Sequence, residues 1–237
     1  MSKTDMNHST SLGDLRAVVF DMDGLMVDTE SIYQLAWREA AATFGYHLHE
    51  ETLVATTGRR LEDCYAILQA AVDDAFPMPA FLELWPRLWH EHVNTHGVPQ
   101  KPGLLDLLDL LETHQIPKAV ATSTAYPEAL FTLQKAGLAD RFHLIISGDQ
   151  ITNGKPAPDI FLRAAERLGI APHYCLALED SEAGVLAAST AGMVTVMVPE
   201  IKHPSPHVVE RAYRVFPSLH DAKQLVLEHW IKREDRL

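Results

Sequence analysis

Hydrophobic and polar positions set two different rhythms along this chain. Residues 15–20 are an apolar run of strand length, and it ends at Asp21 and Asp23, one residue apart, followed by Gly24. From residue 30 the spacing changes: Ile32, Leu35, Ala36, Ala40 and Phe44 recur with helical period up to Gly45. The same period returns over 61–72 and over 80–93, the latter rich in Trp85, Leu88 and Trp89. Helix thus follows helix from 30 to about 99 with no strand between, which predicts an α-helical unit inserted after the first strand. The cluster Pro99-Gln100-Lys101-Pro102-Gly103 then punctuates the chain. Beyond it helices at 104–114, 127–136, 158–168 and 183–191 alternate with strands at 118–122, 142–147, 174–178 and 193–198. A last strand at 213–216 and a terminal helix at 219–230 complete the pattern. Such alternation predicts an α/β fold with a Rossmann-like, doubly wound, mainly parallel sheet. Residues 1–14 are polar and aperiodic and read as a flexible tail.

Composition narrows the function classes. The chain has 237 residues, 47% hydrophobic and 22% charged, enough to bury a sizeable core. A formal net charge of −12 with no basic run argues against nucleic acid or an anionic membrane as partner, though a local site can still oppose the global sign. The two cysteines, Cys64 and Cys175, fall in a predicted helix and a predicted buried strand, and read as reduced core residues of a cytoplasmic protein. No apolar run approaches membrane-spanning length. Nothing selects an oligomeric state, and a monomer satisfies the pattern.

In a parallel sheet every strand exit lies on one rim, where ligands bind. The first exit delivers Asp21 and Asp23, which leave a regular strand on the same face. Taken alone they are an acidic turn, two acids sharing a cation, or a nucleophile beside a proton carrier. The second exit, Thr122-Ser123-Thr124, offers hydroxyls and amides before a helix. The third leads to Lys155 between Gly154 and Pro156, and the fourth to Glu179 and Asp180. Singly these are loop hydroxyls, a solvated lysine and an acid pair at a helix start. On one rim they suit phosphoryl chemistry: hard oxygens for Mg²⁺, a cation and a hydroxyl for phosphate, and carboxylates for attack and proton transfer.

Four stretches resemble the motifs of the haloacid dehalogenase superfamily, closest to its branch of β-phosphoglucomutases and sugar-phosphate phosphatases. They are Asp21-Met22-Asp23-Gly24-Leu25-Met26-Val27-Asp28-Thr29, Ala121-Thr122-Ser123, Gly154-Lys155-Pro156-Ala157-Pro158-Asp159 and Leu178-Glu179-Asp180-Ser181-Glu182-Ala183-Gly184. The resemblance implies a catalytic core of residues 15–29 and 100–237 with a helical cap of 30–99. It implies Asp21 as nucleophile and Asp23 as general acid/base, the latter also lending its backbone carbonyl to Mg²⁺. Thr122 and the Ser123 amide would bind phosphate, Lys155 would steady the charge, and Asp180 would ligate the metal with Glu179 bound to it or just behind.

What the resemblance implies is a Mg²⁺-dependent phosphatase acting on a small phosphorylated metabolite, a sugar phosphate, through an aspartyl-phosphate. A phosphohexomutase is the alternative, and a non-catalytic phosphate-binding protein the second class. The mutases carry a histidine where Tyr33 stands here, and Leu61 falls where they place a phosphate-gripping arginine; Arg59 and Arg60 are the cap candidates for substrate contact. Trp85 and Trp89 at i, i+4 read as cap core. Two other motifs fail on spacing. His90-Glu91-His92 lacks the second histidine of a zinc-protease helix, which would stand at Asn94. The stretch from Gly148 to Lys155 has one residue too many for a P-loop, and Pro156 replaces its Ser/Thr.

Overall fold

The computed structural model describes residues 14–56, 61–199 and 204–228. The candidates Arg59 and Arg60, and nearly all of the predicted tail, lie outside the described residues. The chain enters as β1 (Ala17–Phe20) and passes to four helices, α1 (Glu30–Thr43), α2 (Glu50–Thr56), α3 (Leu61–Ala71) and α4 (Met78–His96). It returns through α5 (Leu104–Thr113), β2 (Lys118–Ala121), α6 (Tyr126–Lys135) and β3 (Ile145–Ile146). The remainder is α7 (Asp159–Leu168), β4 (Cys175–Glu179), α8 (Glu182–Thr190), β5 (Val194–Met197), α9 (Pro206–Arg211), β6 (Arg214–Val215) and α10 (Leu219–Val226).

The six described strands form one parallel sheet in the order β3-β2-β1-β4-β5-β6. The chain winds outward from β1 to β3 and then crosses to β4 on the other side of β1. The crevice of a doubly wound sheet opens at that reversal. All of β1 is buried, as a strand covered on both faces requires. Val18 and Phe20 point into the core shared with the helical insertion, whereas Ala17 and Val19 pack under Ile160, Phe161 and Ala164 of α7. Burying a side chain the size of Val or Phe is worth about 1.5–3 kcal/mol.

Several predicted bounds are corrected. The strand expected at 142–147 is only Ile145–Ile146, because 139–141 form a 3₁₀ turn and Phe142 turns edge-on to Phe20, ring centres 5.6 Å apart. Glu179 is the last residue of β4, paired with Met197, and does not follow the strand. The helices α2 and α9 were not expected. Trp85 and Trp89 are core residues, as expected.

Two chain crossings join the sheet to the insertion, and they pair with one another. Val27 and Gln100 form an antiparallel bridge, the Asp28 amide donates to Pro99 O at 2.9 Å, and the Lys101 amide donates to Met26 O at 2.9 Å. Gly24 makes the turn out of the sheet possible: its φ of 82° lies in the left-handed region, and its amide donates to Val27 O at 2.9 Å. Among the described residues no helix is long and apolar enough to cross a membrane.

Candidate active site

Strand register assembles the site. Phe20 lies level with Val120 on one side and with Leu178 on the other. One residue further, Asp21, Ala121 and Glu179 therefore stand at the same height on three adjacent strands. Lys155 reaches this level from the loop before α7. That loop is closed by Asp159, whose Oδ1 accepts from the Asn153 amide at 3.2 Å and from its Nδ2 at 3.0 Å. The Lys155 ammonium donates to Asp21 Oδ1, to Glu179 Oε1 at 2.6 Å and to Ala121 O at 3.1 Å.

The cluster is closed to solvent: Asp21 is 6% exposed, Lys155 7% and Glu179 0%. Burial by itself disfavours the lysine's charge, but Asp21 and Glu179 outweigh it and hold the ammonium above its ordinary pKa. Burial raises the Asp21 carboxyl well above the usual range; Lys155 draws it back, while Glu179 and Asp23 push it up again. The second Glu179 oxygen, Oε2, is occupied as well. It accepts from the Asp180 amide at 3.1 Å, the Ser181 amide at 3.2 Å and the Ser181 hydroxyl at 3.0 Å. Glu179 is thus a buried charge with partners on both oxygens, the condition under which such a charge is tolerated.

Asp23 faces a different set of groups. Its Oδ1 accepts from the Thr29 hydroxyl at 2.9 Å, and its Oδ2 accepts from Thr122 Oγ1 at 3.2 Å and Thr124 Oγ1 at 2.8 Å. Thr122 was singled out from the sequence; Thr29 and Thr124 were not. Thr29 closes the first acidic stretch, and Thr124 follows Thr122 by two positions in an exit already rich in hydroxyls. Thr29 stands at the N-cap of α1, yet its side chain makes no capping bond. Asp28 accepts from the Ser31 amide instead, at 3.1 Å, which leaves the Thr29 hydroxyl for Asp23.

Above these groups lies a cavity of about 730 Å³, lined at its base by Asp23, Ser123, Lys155 and Asp180. Its roof comes from the insertion. Of the sequence candidates within the described residues, Asp21, Lys155, Glu179 and Asp180 are gathered at one point, with Asp23, Thr122 and Ser123 beside them. Asp21, Glu179 and Asp180 each bring a carboxylate oxygen within 4.8 Å of the others, an all-oxygen donor set of the kind that suits a hard divalent cation.

Fold and site together define an α/β enzyme with its chemistry at the carboxyl edge of a parallel sheet. The chain belongs to the haloacid dehalogenase-like hydrolases, whose family model matches residues 18–198. It is 34% identical over 215 residues to a phosphorylated carbohydrates phosphatase of Thermotoga maritima, covering 90% of each chain. It is 30% identical over 192 residues to the β-phosphoglucomutase of Bacillus subtilis, covering 78% of this chain and 83% of that one. Among solved structures it resembles a hydrolase of the same family from Deinococcus radiodurans, solved with bound phosphate and sodium. The TM-score there is 0.76 at 28% identity, covering 92% of this chain and 97% of that one. The protein is accordingly an enzyme of the phosphoric monoester hydrolase class within that family.

Proposed function

We propose that this enzyme hydrolyses a small phosphomonoester, a sugar phosphate, through a phosphoryl group carried on Asp21. The observation that carries the reading is the buried Asp21–Lys155–Glu179 cluster beside the hydroxyl-bound Asp23 at the base of one cavity. Residues 15–29 and 100–237 act as the catalytic core and residues 30–99 as a cap over it.

An Asp21 oxygen attacks phosphorus in line as the bond to the leaving alcohol breaks. Lys155 favours the ionised form of that carboxylate and holds it in place. Asp23 passes a proton to the departing oxygen, then removes one from a water whose oxygen attacks phosphorus and frees Asp21. In this reading Thr122 and the Ser123 amide take phosphate oxygens, the Thr122 hydroxyl leaving Asp23 to do so. Asp21 and Asp180, with the Asp23 backbone carbonyl, fit a Mg²⁺ ion, and the occupied oxygens of Glu179 support a part in steadying Lys155. When bound there, Mg²⁺ supplies positive charge against the phosphate oxygens. Arg59 and Arg60 remain the cap candidates for the far side of the substrate. A cytoplasmic setting is supported by the two buried thiols.

Hydrolysis is favoured over a mutase reaction by the similarity to a phosphatase over 90% of both chains and by Tyr33 in place of the histidine that the mutases carry. The test is phosphate release from a panel of sugar phosphates and an aryl phosphate with Mg²⁺. Turnover on the panel is expected. No release by natively folded protein overturns the reading, and interconversion of glucose phosphates with a bisphosphate primer makes it a mutase.

A further inference from the structure

The side of the cavity facing away from the sheet edge has its own chemistry. Glu30, Tyr33, Gln34 and Trp37 all line it, and their positions on α1 are i, i+3, i+4 and i+7, one face of one helix. Leu53 of α2 and Leu61 of α3 extend the apolar part of the same wall. The two aromatic rings are braced from behind. Tyr33 stacks on Trp89 at 5.4 Å and 19° and meets Trp85 at 5.7 Å. Trp37 stacks on Tyr65 at 6.0 Å and takes Phe81 edge-on at 5.4 Å. Burial, followed by the nearby Asp23 carboxylate, raises the Tyr33 phenol above its ordinary pKa, so it stays a neutral ring with a hydroxyl. Beside the rings, Gln34 Nε2 donates to Glu30 Oε1 at 3.4 Å, and the pair offers carboxylate and amide groups within one turn.

Resting on the reading of Asp21 as phosphoryl acceptor, the phosphate is held at the sheet edge and the leaving alcohol must lie against this stripe. A cyclic sugar matches it. Its ring has a C–H face that covers aromatic surface and a rim of hydroxyls that a carboxylate and an amide can bind. An open-chain polyol has the same hydroxyls but no fixed face, and loses internal rotations when it lies down on a rigid wall. We infer that the substrate is a monophosphate whose alcohol carries a preformed ring, laid on Tyr33 at the edge of the buried Trp37, with its hydroxyls bound by Glu30 and Gln34.

The test compares methyl glucoside 6-phosphate, a locked ring, with glucitol 6-phosphate, its open-chain counterpart of equal charge. The ring ester is expected to show kcat/KM at least about tenfold higher, the scale of a few frozen rotations. Tyr33→Leu, which keeps apolar bulk without a ring, is expected to bring the ratio close to one, while Tyr33→Phe keeps it. Should Tyr33→Leu not fold, the native ratio decides, together with tryptophan emission of the Asp21→Asn protein, which the ring ester should quench more than the open-chain ester. A native ratio below about twofold, a ratio unchanged in folded Tyr33→Leu, or equal quenching by both esters overturns the ring platform. If the open-chain ester is turned over as fast as the ring ester, hydrolysis stands and the platform falls; no release from either ester or from an aryl phosphate overturns both.

Discussion

Asp21 sits where a carboxylate is least comfortable, enclosed, with Glu179 and Asp23 nearby and one ammonium to offset them. Its pKa is raised in the folded protein, so the folded form binds its proton more tightly than the unfolded form. That contribution to stability is present below the unfolded pKa of about 3.9 and is lost as pH rises through the folded value. At neutral pH without divalent cation, Asp21→Asn is therefore expected to melt roughly 2–4 °C above the native protein. The same variant should lose at least about a thousandfold in turnover. Calorimetry and phosphate release check the two halves, and a lower melting point with substantial activity contradicts both. Asp21, Lys155, Glu179 and Asp180 were legible in the sequence because strand exits of a parallel sheet share one edge. Thr29 and Thr124 were not, because a threonine at a helix start or in a loop is ordinary until its hydroxyl is seen on Asp23.

Among the elements, α8 has the tightest fit to the site. Ser181 Oγ accepts from the Gly184 amide at 3.0 Å, capping the helix, and donates to Glu179 at the same distance. A Cβ on Gly184 would lie 1.8 Å from Glu179 Oε1, the atom that holds Lys155. Gly184→Ala is thus expected to cost about 1–3 kcal/mol of stability and to lower kcat by displacing Glu179. Denaturant unfolding and steady-state kinetics read the two effects, and native values in both contradict this account of the glycine. Periodicity located the long helices, α1, α4 and α5 among them, to within a few residues. It passed over α2 and α9, which are too short to show a repeat. It overdrew β3, where local apolar content said strand but Phe142 was claimed by Phe20 from across the core.

At the scale of the molecule, one continuous apolar cluster runs from the sheet into the insertion, joining Val18 and Phe20 to Trp37, Phe81 and Trp89. Doubly wound topology and the inserted helices were both legible from the change of rhythm at residues 99–103; the cavity between them was not, since its walls come from segments far apart in the chain. The closed sheet core has a chemical signature. Burial pushes the Cys175 thiol up to about 11. A water-soluble disulfide reagent near pH 8 is expected to titrate at most one of the two thiols in the folded protein and both after denaturation. Rapid titration of both in the folded state contradicts a closed core. The paired crossings at Val27 and Gln100 bear on motion in a further way. Two segments bonded side by side resist sliding, which would break the bonds at Asp28 and Lys101 together, but they yield to flexing across the ribbon, which breaks neither. Of the two motions, flexing is the one that these paired bonds leave open, and what opposes it lies elsewhere, in the apolar cluster that joins the insertion to the sheet.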